Sequence, residues 1–154
     1  MATLLTQNRT DQLESAYKRN ANPSFRPLQK SVRRARFDDY TFLATPSADD
    51  DLVLGELRVT NAEILPEECY ISSLNGAMSG VAKLEKVDSA GTVTAVSGSA
   101  TLNDNTVVFP RISGNDTVQL EAGEYLQVTF TTVTAIVATD IVRVEVGYAS
   151  DDLQ

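Results

Sequence analysis

Apolar and polar side chains alternate one for one near the end of the chain. Leu126, Val128 and Phe130 alternate with Gln127, Thr129 and Thr131, and Val142, Val144, Val146 and Tyr148 alternate with Arg143, Glu145 and Gly147. A period of two puts one set of side chains on one face. Each stretch therefore predicts a strand with one buried side, Phe130 and Tyr148 facing the core. Leu52–Thr60 predicts a third strand, with Leu57 and Val59 on the face opposite Glu56 and Arg58. Shorter strands are predicted at Tyr40–Leu43, Tyr70–Leu74, Val81–Val87, Thr92–Ser97 and Thr106–Phe109. Turn formers separate them: Thr45-Pro46-Ser47, Leu65-Pro66-Glu67, Asn75-Gly76, Ser89-Ala90-Gly91, Asn103-Asp104-Asn105, Ser113-Gly114-Asn115-Asp116 and Ala122-Gly123. About eight short strands at regular spacing, with no convincing helix among them, predict an all-β, antiparallel β-sandwich or barrel. A jelly roll is the first choice and another Greek-key sandwich the second. No repeat of roughly 20–50 residues is visible, which argues against a solenoid or propeller.

The pattern differs ahead of Asp38. Thr10–Arg19 predicts a short helix: Thr10 or Asp11 caps it, and Leu13, Ala16 and Tyr17 share one face. Glu14 and Lys18 stand four apart in the favourable order. An isolated helix in water needs about 12–15 residues, so this one must dock on something or fray. From Asn20 to Arg36 there is no apolar period. Asn22-Pro23 and Arg26-Pro27 push their preceding residues toward extended backbone, and Phe25, Leu28, Val32 and Phe37 stand as isolated anchors. The expected organisation is a basic N-terminal arm over 1–37, a short helix and then an extended stretch, followed by a β-sandwich domain over 38–154. A stretched segment like 20–36 reaches roughly 55–60 Å.

Composition sharpens that division. The chain has 154 residues, 42% hydrophobic and 22% charged, enough for one domain with a sizeable core. Its net charge of −8 hides an asymmetry. Residues 1–37 carry eight basic and two acidic side chains (+6), and residues 38–154 carry five basic and nineteen acidic ones (−14). Lys30, Arg33, Arg34 and Arg36 put four cations within seven residues. Such a segment fits a solubilising tail, an arm laid on an acidic protein surface, or a phosphate contact. The acidic body argues against nucleic acid, since it repels phosphate within a Debye length of about 8 Å. In the extended stretch and its end only Phe25 and Phe37 are available for base stacking. Docking on a protein surface is the preferred reading, with the anchors supplying apolar contact beside the charges.

Candidate chemistry is sparse. There is no His and one Cys, Cys69, so a Ser-His-Asp triad, a Cys-His pair, an HExxH helix and a CxxC site are all excluded within this chain. Carboxylate pairs can run glycoside hydrolysis, but the acidic residues fall mostly in turns and on outward strand faces, where solvated charges belong. Asp38-Asp39, Asp49-Asp50-Asp51 and Asp151-Asp152 invite a calcium reading. Neighbouring side chains in extended backbone point to opposite sides, however, and no D-x-D-x-D-G loop occurs. Gly76–Gly80 has GxxxG spacing in a polar loop and carries no membrane reading. Cys69 reads as a small buried hydrophobe whose acidic neighbours discourage a thiolate. The expectation is a protein that is not an enzyme, with no catalytic residues, metal or cofactor. The N-terminus has no basic, apolar leader and no stretch approaches a membrane span of about 18 apolar residues, so folding in a cytosol without a membrane partner is expected.

Three stretches carry a family resemblance: Leu52-Val-Leu-Gly-Glu-Leu-Arg-Val followed by Ala62-Glu-Ile-Leu-Pro, Leu120-Glu-Ala-Gly-Glu-Tyr-Leu-Gln-Val-Thr-Phe, and Ile141-Val-Arg-Val-Glu-Val-Gly-Tyr-Ala. The region from about Leu52 to Ser150, some two-thirds of the chain, resembles the small β-sandwich head-decoration (cement) proteins of tailed bacteriophages. The resemblance implies a jelly roll, clustered as a homotrimer, on the outer capsid surface of a virion assembled in the host cytoplasm. It would bridge major capsid protein subunits. The arm lies outside the resemblance. The residues expected to bind the partner are Phe25, Arg26, Leu28, Lys30, Val32, Arg33, Arg34, Arg36 and Phe37. A tail- or fibre-associated virion protein, a receptor- or glycan-binding sandwich and a carboxylate hydrolase are the alternatives.

Overall fold

Strand pairing in this chain is organised about one turn. A computed structural model describes residues 32–55, 57, 61–103, 106–113 and 118–150. The chain divides after Val32, and apart from that residue the described residues belong to Arg33–Gln154. In chain order the strands are β1 (Val32–Arg36), β2 (Tyr40–Thr41), β3 (Asp50–Gly55), β4 (Ala62–Ile64), β5 (Tyr70–Ser73), β6 (Ser79–Val87), β7 (Val93–Ala95), β8 (Ala100–Leu102), β9 (Val107–Val108), β10 (Val118–Leu120), β11 (Tyr125–Ala135) and β12 (Ile141–Ala149). A 3-10 turn, Pro66–Glu68, separates β4 from β5.

Two antiparallel sheets result. In the first, β12 is central: Val142 pairs with Tyr40 of β2 on one side and Ser73 of β5 on the other. β1 also pairs with β12, β4 continues the line of β5, and β10 and β9 lie beyond them. In the second the order is β3-β11-β6, with β7 and β8 both beside β6. β1 with β2, β4 with β5, β7 with β8 and β9 with β10 each act as one interrupted strand. The twelve strands therefore behave as eight, in two layers of four. Partners lie almost symmetrically about the Asp88–Thr92 turn: Ala82 with Ala100, Ile71 with Val107, Val53 with Gln127, Tyr40 with Val142. The chain is a long hairpin doubled over on itself, the strand order of a jelly roll. Asp88 holds the tip, its Oδ1 accepting from the N–H groups of Ala90 (2.9 Å) and Thr92 (2.8 Å), and Gly91 supplies the positive φ of +83°.

The alternating positions supply the core. Leu126, Val128 and Phe130 from β11 meet Val142, Val144 and Val146 from β12, together with Ile64, Ile71, Leu84 and Phe109. Tyr148 packs partly buried against them. The Phe42 ring meets the Phe130 ring edge-on at 5.6 Å between centroids, and Tyr40 meets Phe42 at 5.3 Å. Each such side chain contributes about 1.5–3 kcal/mol by leaving water.

Several boundaries differ from the sequence expectation. Leu52–Thr60 breaks at Gly55 (φ +100°), where the β11 register shifts between Leu126 and Gln127; Glu56 and Arg58–Thr60 lie outside the described residues, as does the helix expected over 10–19. β1, β4, β8 and β10 are too short, or too charged, to announce themselves by alternation. β1 falls inside the segment expected to be the arm, yet it pairs within the first sheet, and the Phe37 N–H donates to the Val144 carbonyl at 3.1 Å.

The turn at Pro66–Glu68 crosses β12 at Gly147. A Cβ there would strike Glu68 Cβ and lie 2.7 Å from the Glu68 carbonyl oxygen. Gly147→Ala is therefore expected to lower stability by about 1–3 kcal/mol through forced overpacking, read as a lower urea midpoint. An unchanged midpoint would show that this crossing is loose.

Candidate functional site

Strand β1 brings the basic run onto the sandwich. Arg34 and Arg36 occupy its exposed positions, and Arg33 and Ala35 its half-buried ones. Arg34 Nη2 donates to Glu68 Oε2 at 2.8 Å and to Tyr70 Oη at 3.3 Å, and the guanidinium lies 5.0 Å from the Tyr70 ring centroid. Arg36 lies 3.7 Å from Asp39. Asp39 accepts two bonds from Arg143, Nε to Oδ1 at 2.8 Å and Nη2 to Oδ2 at 2.9 Å. Arg111 grips Glu67 in the same forked way. The outer face of the first sheet is thus laced with alternating charge. The hydrogen bond from Arg143 holds the Asp39 carboxyl below the usual carboxylate range, and that to Glu68 raises Arg34. Exposed pairs like these contribute little, about 0–1 kcal/mol each. They fix where the β1 segment lies rather than how stable the fold is.

Five of the expected partner-binding residues are therefore located: Val32, Arg33, Arg34 and Arg36 along β1, and Phe37 just after it. Phe37 packs partly buried against the sandwich's own core. Arg34 and Arg36 meet acids of their own surface while keeping 51% and 56% of their side-chain area exposed. Phe25, Arg26, Leu28 and Lys30 lie outside the described residues. The acceptors Asp39 and Glu68 escaped sequence reasoning. A signal existed, because Asp38-Asp39 follows the basic run directly and Glu67-Glu68 is an isolated acidic pair.

A second polar cluster sits on the outer face of the second sheet. Glu85, Gln127 and Thr129 are buried there although they point away from the core. Lys83 Nζ reaches Glu85 Oε1 at 2.6 Å, Gln127 Nε2 donates to Glu85 Oε2 at 3.3 Å, and Thr129 Oγ1 lies 2.5 Å from both Glu85 Oε2 and Asp51 Oδ1. A hydroxyl carries one hydrogen, so it serves the two carboxylates in turn. Burial pushes the Glu85 carboxyl up. The bonds from Lys83, Thr129 and Gln127 together outweigh burial and leave it below its ordinary value. Cys69 is fully buried, with Sγ 3.2 Å from the Leu65 carbonyl. Burial chiefly, with Glu67 and Glu68 adding, pushes its thiol up to about 12, so it is inert at neutral pH.

A third feature is a groove along the side of the sandwich where the 37–46 segment, which includes β2, faces β3. It consists of two hollows of about 310 and 300 Å³ that share Tyr40 and Leu52. Phe37, Leu43, Leu52 and Leu54 line it, and Asp38 and Asp50 stand at its rim.

Among the described residues no group of three or more His, Cys, Asp or Glu side chains is placed to hold a metal ion, and no helix is long and apolar enough to cross a membrane. No family model matches the chain, and no curated protein matches its sequence.

Because the folded Glu85 carboxyl sits below its unfolded value of about 4.3, its contribution is present above that pH and is lost as pH falls through the folded value. Glu85→Gln is expected to shrink the loss of urea resistance between pH 7 and pH 3. Asp39, Glu67, Asp88 and Glu124, also held low, keep part of that slope. A variant with the full wild-type slope would show that Glu85 is not coupled to folding.

Proposed function

We propose that the chain is a structural protein of a tailed-phage virion that decorates the capsid and cements neighbouring major capsid subunits. The observation that carries this reading is the doubled-over, jelly-roll strand order with a cationic strand, β1, at one margin. Jelly rolls recur in capsid proteins, although fold alone does not fix function. The three stretches that resemble head-decoration proteins lend further support, because they pair with one another: β3 with β11 and β4 with β12. The work is adhesive. Arg34 and Arg36 are already pinned to the sandwich, so they present an ordered, half-exposed cationic margin. Arg26 and Lys30 extend that charge in sequence. Single exposed pairs are weak, so affinity for a shell comes from clustering of copies and repetition of sites.

The test uses expanded, undecorated heads assembled from the major capsid protein encoded in the same genome. Full-length protein is expected to sediment with them and to raise their resistance to heat. Arg26→Glu/Lys30→Glu is expected to weaken attachment at least about tenfold, since multivalency amplifies each lost contact. Wild-type protein that stays in the supernatant contradicts the reading. So does a double variant that decorates as well as wild type. Attachment to tails or to glycans instead of heads would replace it with the tail-associated alternative.

A further inference from the structure

The groove between the 37–46 segment and β3 lies where an edge of the first sheet meets an edge of the second. Among the described residues β3 pairs only with β11, and β2 only with β12. Each therefore turns a row of backbone N–H and C=O groups away from its partner, toward the side where the groove opens. Exposed sheet edges are ordinarily blunted by charge, bulges or cover. Here one edge ends in Asp50 and Asp51, yet it also carries Val53 at 59% exposure, and Leu43 across the hollow is 88% exposed. The floor is apolar: Phe37, Leu52 and Leu54 pack against the core only partly buried, above the buried Val142 and Val144.

Carboxylates dominate the lining: among the described residues the titratable side chains there are Asp38, Asp39, Asp50, Asp51 and Tyr40. Asp39 is already answered by Arg143 and Arg36. Asp50 accepts from the Ser47 N–H at 2.7 Å and Asp51 meets Thr129, neither with an ion pair to Lys or Arg among the described residues, and Asp38 is exposed. Self-association through this side would bring carboxylates together, which is repulsive. A cationic occupant relieves that.

We infer that the groove takes an extended, basic peptide segment of a partner protein, which adds as a strand along β3 with apolar side chains on the Leu52–Leu54 floor and arginines or lysines toward Asp38 and Asp50. This is β-strand addition, with main-chain hydrogen bonds giving affinity and alternate side chains giving selectivity. Period two suits the site, because alternate positions meet either the floor or the acidic rim. The inference goes beyond the capsid reading and does not rest on it.

The probe is a synthetic N-acetylated peptide of about seven residues, near the length of β3, alternating arginine with leucine or valine. It is titrated into isotope-labelled full-length protein and followed by NMR. Amide shifts are expected at Asp38–Tyr40, Leu43 and Asp51–Leu54, with affinity falling as salt rises. An analogue N-methylated at alternate peptide bonds is expected not to bind, because it cannot pair with an edge. An analogue with glutamate for arginine is expected not to bind either. Asp38→Lys and Leu43→Asp, both at exposed positions, are expected each to weaken binding about tenfold while leaving the protein's spectrum otherwise intact. Absence of shifts at millimolar peptide overturns the inference. So do shifts confined to the Arg34–Tyr70 face, or equal binding of the N-methylated peptide. A full-length dimer that Leu43→Asp converts to monomer also overturns it, in favour of a second copy as the occupant. None of these outcomes depends on capsids, so failure here leaves the attachment test standing, and failure there leaves this one.

Discussion

Everything in this sandwich depends on pairing between strands far apart in sequence. Among the described residues the Asp88–Thr92 turn makes the one local hairpin, and each further ladder closes a larger loop outside it, ending with β1 and β2 against β12. Loop closure grows costlier with length, though only slowly, so the outermost ladder must recover its entropy through burial. Val142, Val144 and Phe42 supply that burial. The Phe42 N–H donates to the Asp140 carbonyl and the Thr139 N–H to the Phe42 carbonyl, which locks β2 beside the start of β12.

That outermost ladder also decides what the basic segment is. A run of arginines beside prolines has the composition of a tail, but its last five residues complete a sheet. Once β1 is paired, alternation sends Arg34 and Arg36 to the outer face, where Glu68, Tyr70 and Asp39 meet them. The cations become an ordered margin instead of a diffuse cloud. Among the described residues the same ladder leaves β2 and β3 each paired on one side only, around an acid-rimmed, apolar-floored groove. One packing event thus yields both a margin where arginines meet acids of the same surface and an acid-rimmed groove.

The legible parts of this fold were those written in side-chain periodicity. β11 and β12 are long, and their alternation survives because each buries one face. The turns at Asp88–Thr92 and Glu121–Glu124 show in their Gly residues and acidic side chains. Three-residue strands such as β4 and β10 carry no period, and only their register, β4 beside β12 and β10 beside β4, defines them. β1 was hidden for a different reason: its outward residues are arginines, and charge outweighed alternation in reading VRRAR. The Glu85–Thr129–Asp51 cluster was hidden because outward polar positions are ordinarily solvated. Here neighbouring strands bring those groups close enough to bury one another. The groove has no signature in the sequence, since it arises from two edges meeting across the fold.

The most direct measurement of this account is residue-resolved hydrogen exchange on the full-length protein. If the segment after Val32 is a strand of the first sheet, the Phe37 amide, bonded to Val144, exchanges slowly, on the timescale of global opening and alongside the core amides of β12. Exchange of residues 33–37 at the rate of an unstructured peptide, with β12 still protected, would contradict it. The cationic margin and the groove would then both lose their basis.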